Sequence, residues 1–570
     1  MKTFDGWQRI PLILLLVLMA ACLPESQPPE QSRGQTSVVK DYERAEKFLD
    51  PNTSELIYDS VLNQYWQDDD SLIYQKSSAQ GYDYILFDLA TMEKLSLFDR
   101  TRLAELLSGY TEEDTHGINL DLSQIKIIDS ADLVEFNFDA SRYRLNLASY
   151  SLERLEDTPE EEYLSPDGRK AAYIDGHNLW LRDAVTNDLT QLTFDGSENY
   201  GYATNNAGWS RGAGPVLLWS PDSKRIATFR HDSRNVEEMY LYSTQVGHPE
   251  LDAWKYALPG DEHIFLIERV VIHLEEKPRL VRLKMSPDPH RSTTTDHVAG
   301  RNGRFLDVEW SADGQQLAFV SSSRDHKLAQ LRVANPETGV VRDVFSESVS
   351  TYYESGVGSA NWRVLDERDE FIWFSEKSDW GHLYFHDLEN GQFKRQVTSG
   401  EWSVLEIQQV DDENELIYFI GSNREPGDPY YSYLYRVSFD GSNLVNLTPE
   451  MGHHAITWSD SASYFTDTWS TPTQPAKSVV RDRDGEIIAK LEETDISALF
   501  KAGWVAPIPF KVKARDQQTD LYGLMYQPSS LDKTQSYPVL NYLYPGPQTG
   551  SVGNRAFQAS RRDKQALAEL

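Results

Sequence analysis

One stretch of the 570 residues sets a serine between glycines at the spacing of a nucleophile elbow: Gly208-Trp209-Ser210-Arg211-Gly212. An elbow of this kind holds the serine hydroxyl at a strained turn between a buried strand and a helix, within reach of a histidine base and of oxyanion donors. The surroundings do not fit. From Ala213 the chain reads AGPVLLWSPDSKRIATF, which is a strand, a turn and another strand with no helix, so Ser210 reads as a loop residue. His453-His454 could suggest a metal, but neighbouring residues on a strand point to opposite faces, and no cysteine or helical His-Glu-x-x-His accompanies them. Asp482-Arg483-Asp484-Gly485 reads as a hairpin turn, because Asp-Gly suits that geometry. With no Walker loop and no dinucleotide fingerprint, the expectation is that neither a metal nor an organic cofactor is used.

The elements that would position any such residues are mostly strands. At 570 residues the chain is too long for one compact core, and it is rich in Trp (14) and Tyr (30), which favour strands over helices. A formal charge of −34 argues against nucleic acid as a partner, since phosphate binding needs basic patches. From about Tyr65 to Leu491 one theme recurs: an Asp/Gly/Ser turn, an apolar strand, a second strand, a short turn, and a strand ending near Leu-Thr. Clear copies begin at Ser165 (SPDGRKAAYID), Ser220 (SPDSKRIATF), Ser311 (SADGQQLAFV), Glu367, Glu413 and Ser459, and weaker ones cover about Tyr65–Phe98 and Asp132–Leu155. Strand-rich copies at roughly 45–55 residues predict a β-propeller, because each unit buries its two faces only by stacking on its neighbours. Seven or eight blades fit, with eight preferred.

Before the repeats, Lys2 and Arg9 precede the apolar run Pro11–Ala21 and then Cys22, the one cysteine of the chain. Eleven apolar residues are too few for a helix that spans a bilayer, which needs roughly 20. The layout is that of a signal peptide. Leu18-Met19-Ala20-Ala21-Cys22 resembles a bacterial lipobox, which makes Cys22 the expected site of lipid attachment. Residues 22–40 then read as a Pro/Gln/Ser-rich tether. The protein is accordingly expected to be exported, on the periplasmic face of a bacterial outer membrane or in the periplasm. Asp41 to about Tyr58 is helix-like, broken at Asp50-Pro51, so that 41–64 forms an N-terminal helical segment. After about Ser497 the pattern changes to two alternating strands, the apolar run Tyr537–Tyr544 (YPVLNYLY), a Pro-Gly loop, and a helix-like tail from about Ala556. A buried strand feeding a glycine-rich turn is how an α/β-hydrolase domain opens. The expected fold is thus mainly β: a propeller over 65–497, then a truncated α/β-hydrolase domain over 498–570.

The repeats together with SEKSDWGHLYFHDLENGQ, LTPEMGHHAITWSDSASYF and above all YPVLNYLYPGP resemble dipeptidyl peptidase IV and its bacterial relatives, from about Asp41 to Leu570. The resemblance implies a propeller paired with a serine hydrolase, an active site in the cavity between them, and removal of dipeptides from the amino termini of peptides. It implies that Tyr544, in Tyr544-Pro545-Gly546-Pro547, donates its hydroxyl to the oxyanion. Family members hold the substrate's free amino terminus with paired glutamates just before one Trp-Ser-Pro turn. Here that place precedes Trp219-Ser220-Pro221 and contains no Glu-Glu. Asn205, Asn206 and Trp209 occupy the neighbourhood as substrate-binding candidates, and Glu237-Glu238, after the turn, are poor substitutes. That departure leaves dipeptidyl, tripeptidyl and aminopeptidase action open. The expected partners are peptides, the membrane through the lipid anchor, and a second copy in the full-length protein. As the sequence stands it carries no nucleophile, acid or base, so the rival reading is a non-catalytic propeller lipoprotein that binds peptides or proteins.

Overall fold

The Ser-x-Asp-Gly turns form because the serine and aspartate side chains supply the hydrogen bonds that a sharp reversal leaves unmet. Ser165 Oγ donates to Asp167 Oδ1 (2.7 Å) and accepts the Lys170 N–H (3.0 Å). Ser220 repeats this with Asp222 and Arg225, and Ser311 with Asp313 and Gln316. Gly168 (φ +68°) and Gly314 (φ +67°) take the left-handed position that such a turn requires.

In the computed structural model the described residues are 35–570 apart from 111–119, 129–131, 140, 156–161, 205–213, 245–246, 291–297, 300–304, 355–360 and 545–549. Eight antiparallel sheets of sequentially ordered strands occupy 61–96, 123–154, 163–191, 218–289, 308–348, 362–396, 403–446 and 453–493. These are the eight blades of a β-propeller. The first two begin at Val61 and Ser123, earlier than the repeat pattern suggested. The middle strands are nearly continuous apolar runs because a neighbouring blade covers each of their faces; Phe371 to Ser375 of the sixth blade are all buried. The outer strands, such as Phe393–Gln396, are mostly exposed.

Apolar clusters join one blade to the next. Phe229 and Ile267 of the fourth blade pack with Val308 and Phe319 of the fifth, and Ile372 and Phe385 of the sixth pack with Phe419 and Tyr435 of the seventh. The ring closes without a shared strand. Leu72, Tyr74 and Phe87 of the first blade pack on Val480 and Leu491 of the eighth. Tyr74 donates its hydroxyl to Glu492 Oε1 (2.7 Å), Trp66 donates its indole N–H to the Thr457 carbonyl (3.2 Å), and Tyr58 bridges to Asp495.

Outside the ring the expectations need correction. The N-terminal helices are Gln35–Glu46 and Asp50–Ser54, and Pro51 lies in the first turn of the second rather than merely breaking the first, as its fixed φ and missing N–H allow at a helix start. After the ring, Ile508–Lys513 and Asp520–Met525 form a two-stranded ribbon. Tyr537–Tyr544 is not a strand: it pairs with nothing, and Val539 and Leu540 are 91% and 72% exposed. An apolar run becomes a strand only where a partner edge meets its backbone groups. The tail helix is limited to Lys564–Ala568, because Arg561, Arg562 and Asp563 all take left-handed φ values just before it. No parallel sheet of the α/β-hydrolase kind is present among the described residues.

Candidate functional site

In a ring of four-stranded meanders, the turns between second and third strands lie on the same face as the links between blades. The C-terminal segment docks on that face. Arg555 Nε donates to Asp428 Oδ2 (2.9 Å) in such a turn of the seventh blade, and its guanidinium lies 4.6 Å from the ring centre of Tyr430. The Phe557 N–H donates to Ser470 Oγ (2.9 Å) of the eighth blade. Behind it, Phe48, Leu499, Trp504 and Ala559 form one apolar cluster. The buried Glu569 carboxylate ties this layer to the N-terminal helix, accepting from Arg44 Nε (2.7 Å), the Ser529 N–H (2.7 Å) and Gln565 Nε2 (2.8 Å).

Tyr544 lies ahead of these docking contacts in the chain. The residue is 61% exposed, and its backbone N–H donates to Ser551 Oγ (2.6 Å). Pro545, Gly546 and Pro547 lie outside the described residues, as do Cys22, Asn205, Asn206, Trp209 and Ser210. Glu237 and Glu238 are exposed, with Glu238 opening the hairpin Glu238–Tyr242/Leu251–Lys255 inserted between the second and third strands of the fourth blade. His453 and His454 do diverge: His453 Nδ1 is 2.9 Å from Ser432 Oγ, whereas His454 Nδ1 is 2.7 Å from Asp467 Oδ1.

Three groups on this face escaped the sequence reading. Arg230 reaches Asp195 Oδ2 (2.9 Å) and stacks 3.5 Å from the ring centre of Tyr200, while Arg282 bridges Glu268 Oε2 (3.1 Å) and the Tyr202 hydroxyl (3.2 Å). They line a cavity of about 370 Å³ with Met285. Burial alone would raise the Asp195 carboxyl, but the Tyr202 hydroxyl and the two guanidiniums hold it below the usual carboxylate range. Beneath, the buried Arg269 donates to Asp288 Oδ2 (2.9 Å) and to Asp307 Oδ2 (2.5 Å), joining the fourth blade to the fifth. Burial pushes Asp307 up to about 6 in spite of Arg269. No sequence signal marked these pairs, since the partners stand 14 to 80 residues apart with no fixed spacing.

The third group is a buried histidine pair. His231 and His290 meet Nδ1 to Nδ1 at 2.7 Å, with His231 stacked on Phe265 and His290 edge-on to Phe229. Burial pushes His231 down to about 4, and pushes His290 well below the histidine range with help from the charges of His231 and Arg269. Between the unfolded value of 6.5 and about 4 the unfolded chain binds a proton at His231 that the folded chain does not. Stability therefore falls as pH drops through that window, by about 3 kcal/mol from this group. Urea midpoints at pH 7 and pH 4.5 check this: His231→Gln should lose less stability over that interval than the unaltered chain, and equal losses would contradict it.

An eight-bladed propeller with a C-terminal segment seated on its turn face defines the class, and the comparisons with known proteins agree. The profile described as "Dipeptidyl peptidase IV (DPP IV) N-terminal region" matches residues 129–476, more than half of the chain. The chain belongs to the dipeptidyl peptidase IV N-terminal region family. It is 25% identical over 425 residues to "Probable dipeptidyl-aminopeptidase B" of Aspergillus fumigatus, covering 69% of this chain and 44% of that protein. The chain thus spans less than half the length of that relative. In fold it is similar to a solved structure named for a dipeptidyl aminopeptidase IV from Bacteroides ovatus (TM-score 0.67, 18% identity, 90% of this chain and 71% of that one). It is also similar to Porphyromonas gingivalis dipeptidyl peptidase 4 (TM-score 0.63, 16% identity, 89% and 70%).

Proposed function

We propose that the chain is the propeller part of a serine exopeptidase of the dipeptidyl peptidase IV type, which releases dipeptides or similar short units from peptide amino termini. The observation that carries this reading is the docking of the residues that follow Tyr544, through Arg555 and Phe557, onto the turn face of a family propeller. In a serine peptidase the hydroxyl attacks the scissile carbonyl, a histidine takes its proton, and an aspartate orients the histidine. In this reading those three groups stand on polypeptide outside the 570 residues, and Tyr544 supplies an oxyanion donor to them. Asn205, Asn206 and Trp209 would face the peptide's amino-terminal end in place of a glutamate pair. The lipobox-like Leu18–Cys22 supports an exported protein anchored through Cys22.

The test is hydrolysis by the polypeptide as its gene encodes it. Chromogenic amides with one, two or three residues ahead of the cleaved bond are offered, each with its amino terminus free or acetylated. Release only from free-ended substrates, greatest for two residues, is the expected outcome. Equal cleavage of acetylated substrates would rule out an exopeptidase, and binding of peptides without cleavage would favour a non-catalytic propeller.

A further inference from the structure

Tyr544 has no strand partner to fix its backbone, yet an oxyanion donor must be held within a fraction of an ångström of its working place. What meets its amide is the Ser551 hydroxyl oxygen, at 2.6 Å. The loop that follows Ser551 is unusually well tied. Arg561 Nη1 donates to the carbonyls of Val552 (2.9 Å) and Asn554 (2.8 Å), and its Nη2 donates to that of Ala556. Arg555 Nη1 holds a fourth carbonyl of this stretch, that of Gly553, at 3.0 Å. Both guanidinium-bearing residues are buried, Arg555 at 4% and Arg561 at 3% exposure. Arg561 also keeps a left-handed backbone (φ +47°), a conformation that persists only where surrounding contacts enforce it. The second contact of Arg555 leaves the loop altogether and reaches Asp428 of the seventh blade.

The bonds therefore form one chain from the propeller to the proposed oxyanion donor: Asp428, Arg555, the 552–556 backbone clipped by Arg561, Ser551, Tyr544. We infer that Ser551 is a positioning residue for Tyr544, and that the propeller sets the place of Tyr544 through Asp428 and Arg555. The inference rests on the reading of Tyr544 given above. Ser551 touches no substrate in this scheme; it acts only by fixing the amide from which the phenol is carried. Losing its hydroxyl frees the Tyr544 N–H and lets the phenol wander. Misplacement by about 1 Å costs up to about 100-fold in rate, and a loosened backbone should cost about 10-fold.

Two measurements test this. In the 570-residue chain, deuterium exchange at the Tyr544 amide, the N–H that Ser551 holds, should quicken about 10-fold in Ser551→Ala and keep its unaltered rate in Ser551→Thr, which keeps the hydroxyl. Unchanged exchange in Ser551→Ala overturns the inference whatever the activity. In the polypeptide expressed from its gene, Ser551→Ala should lower kcat about 10-fold at constant KM, and should add nothing once Tyr544 is phenylalanine. If Ser551→Ala costs as much with Phe at 544 as with Tyr, Ser551 acts elsewhere and the inference falls while the reading of Tyr544 stands. If Tyr544→Phe alone turns over at the unaltered rate, the reading of Tyr544 falls, and the positioning role with it.

Discussion

Arg269→Met is expected to remove about 3–5 kcal/mol of stability, a large share of what a folded domain possesses. Arg269 is buried beside two carboxylates, Asp288 and Asp307, and its guanidinium lies 4.6 Å from the ring centre of Phe319. Methionine fills much of the volume but leaves both carboxylates without their main counter-charge in a site that already pushes Asp307 up to about 6. Asp288 keeps the Ser321 hydroxyl at 2.7 Å, with Arg332 at 3.5 Å; Asp307 loses its charged partner. The cost comes from stranded charge more than from a lost attraction, so two corollaries separate it from a simple packing defect. The deficit should shrink as pH is lowered from 8 to 5, because protonation relieves an uncompensated carboxyl. Adding Asp288→Asn and Asp307→Asn to Arg269→Met should recover most of the loss, since an ion cluster replaced whole is often neutral. Urea midpoints of the single and triple variants decide it; a single variant as stable as the unaltered chain would show that Arg269 contributes nothing net.

Tyr544→Phe is expected to lower kcat of the proposed peptidase about 100- to 1,000-fold, the effect of deleting one oxyanion donor. The substitution removes a single oxygen and keeps the ring. A donor aimed at charge that develops only during attack contributes little to the bound substrate, so KM should hardly change and kcat/KM should fall with kcat. Because the residue is 61% exposed, the melting temperature should stay nearly constant, which separates chemistry from folding. Steady-state kinetics on a free-ended chromogenic substrate provide the check. A rise in KM at constant kcat would instead make Tyr544 a substrate contact.

The parts of the fold legible in the sequence are those written within a few residues. The turns at Ser165, Ser220 and Ser311 announce themselves because serine, aspartate and the left-handed glycine all lie inside one reversal. Where that signature is absent, the blades begin ahead of the point at which the sequence pattern becomes visible. The first blade turns on Asp68, which accepts the N–H groups of Asp70 and Ser71, and its first strand begins at Val61 rather than Tyr65. The run Tyr537–Tyr544 has the composition of a buried strand, but pairing is a property of what lies beside it, and composition cannot report that. The site divides the same way. Tyr544 is a candidate through its motif alone, whereas the Arg230, Arg269 and His231 groups are made by side chains from separated strands.

The ring closure has a consequence for connectivity. Each blade is one contiguous stretch of chain, and the eighth meets the first through side chains and the short Tyr58–Asp495 bridge rather than through an exchanged strand. The order in which the blades are written along the polypeptide is therefore not what holds the circle together. A gene that joined the end of the eighth blade to the start of the first, and opened instead between Arg154 and Tyr163, would leave all eight sheets with their own strands, at the loss of the N-terminal helices and the C-terminal segment that now flank the ring.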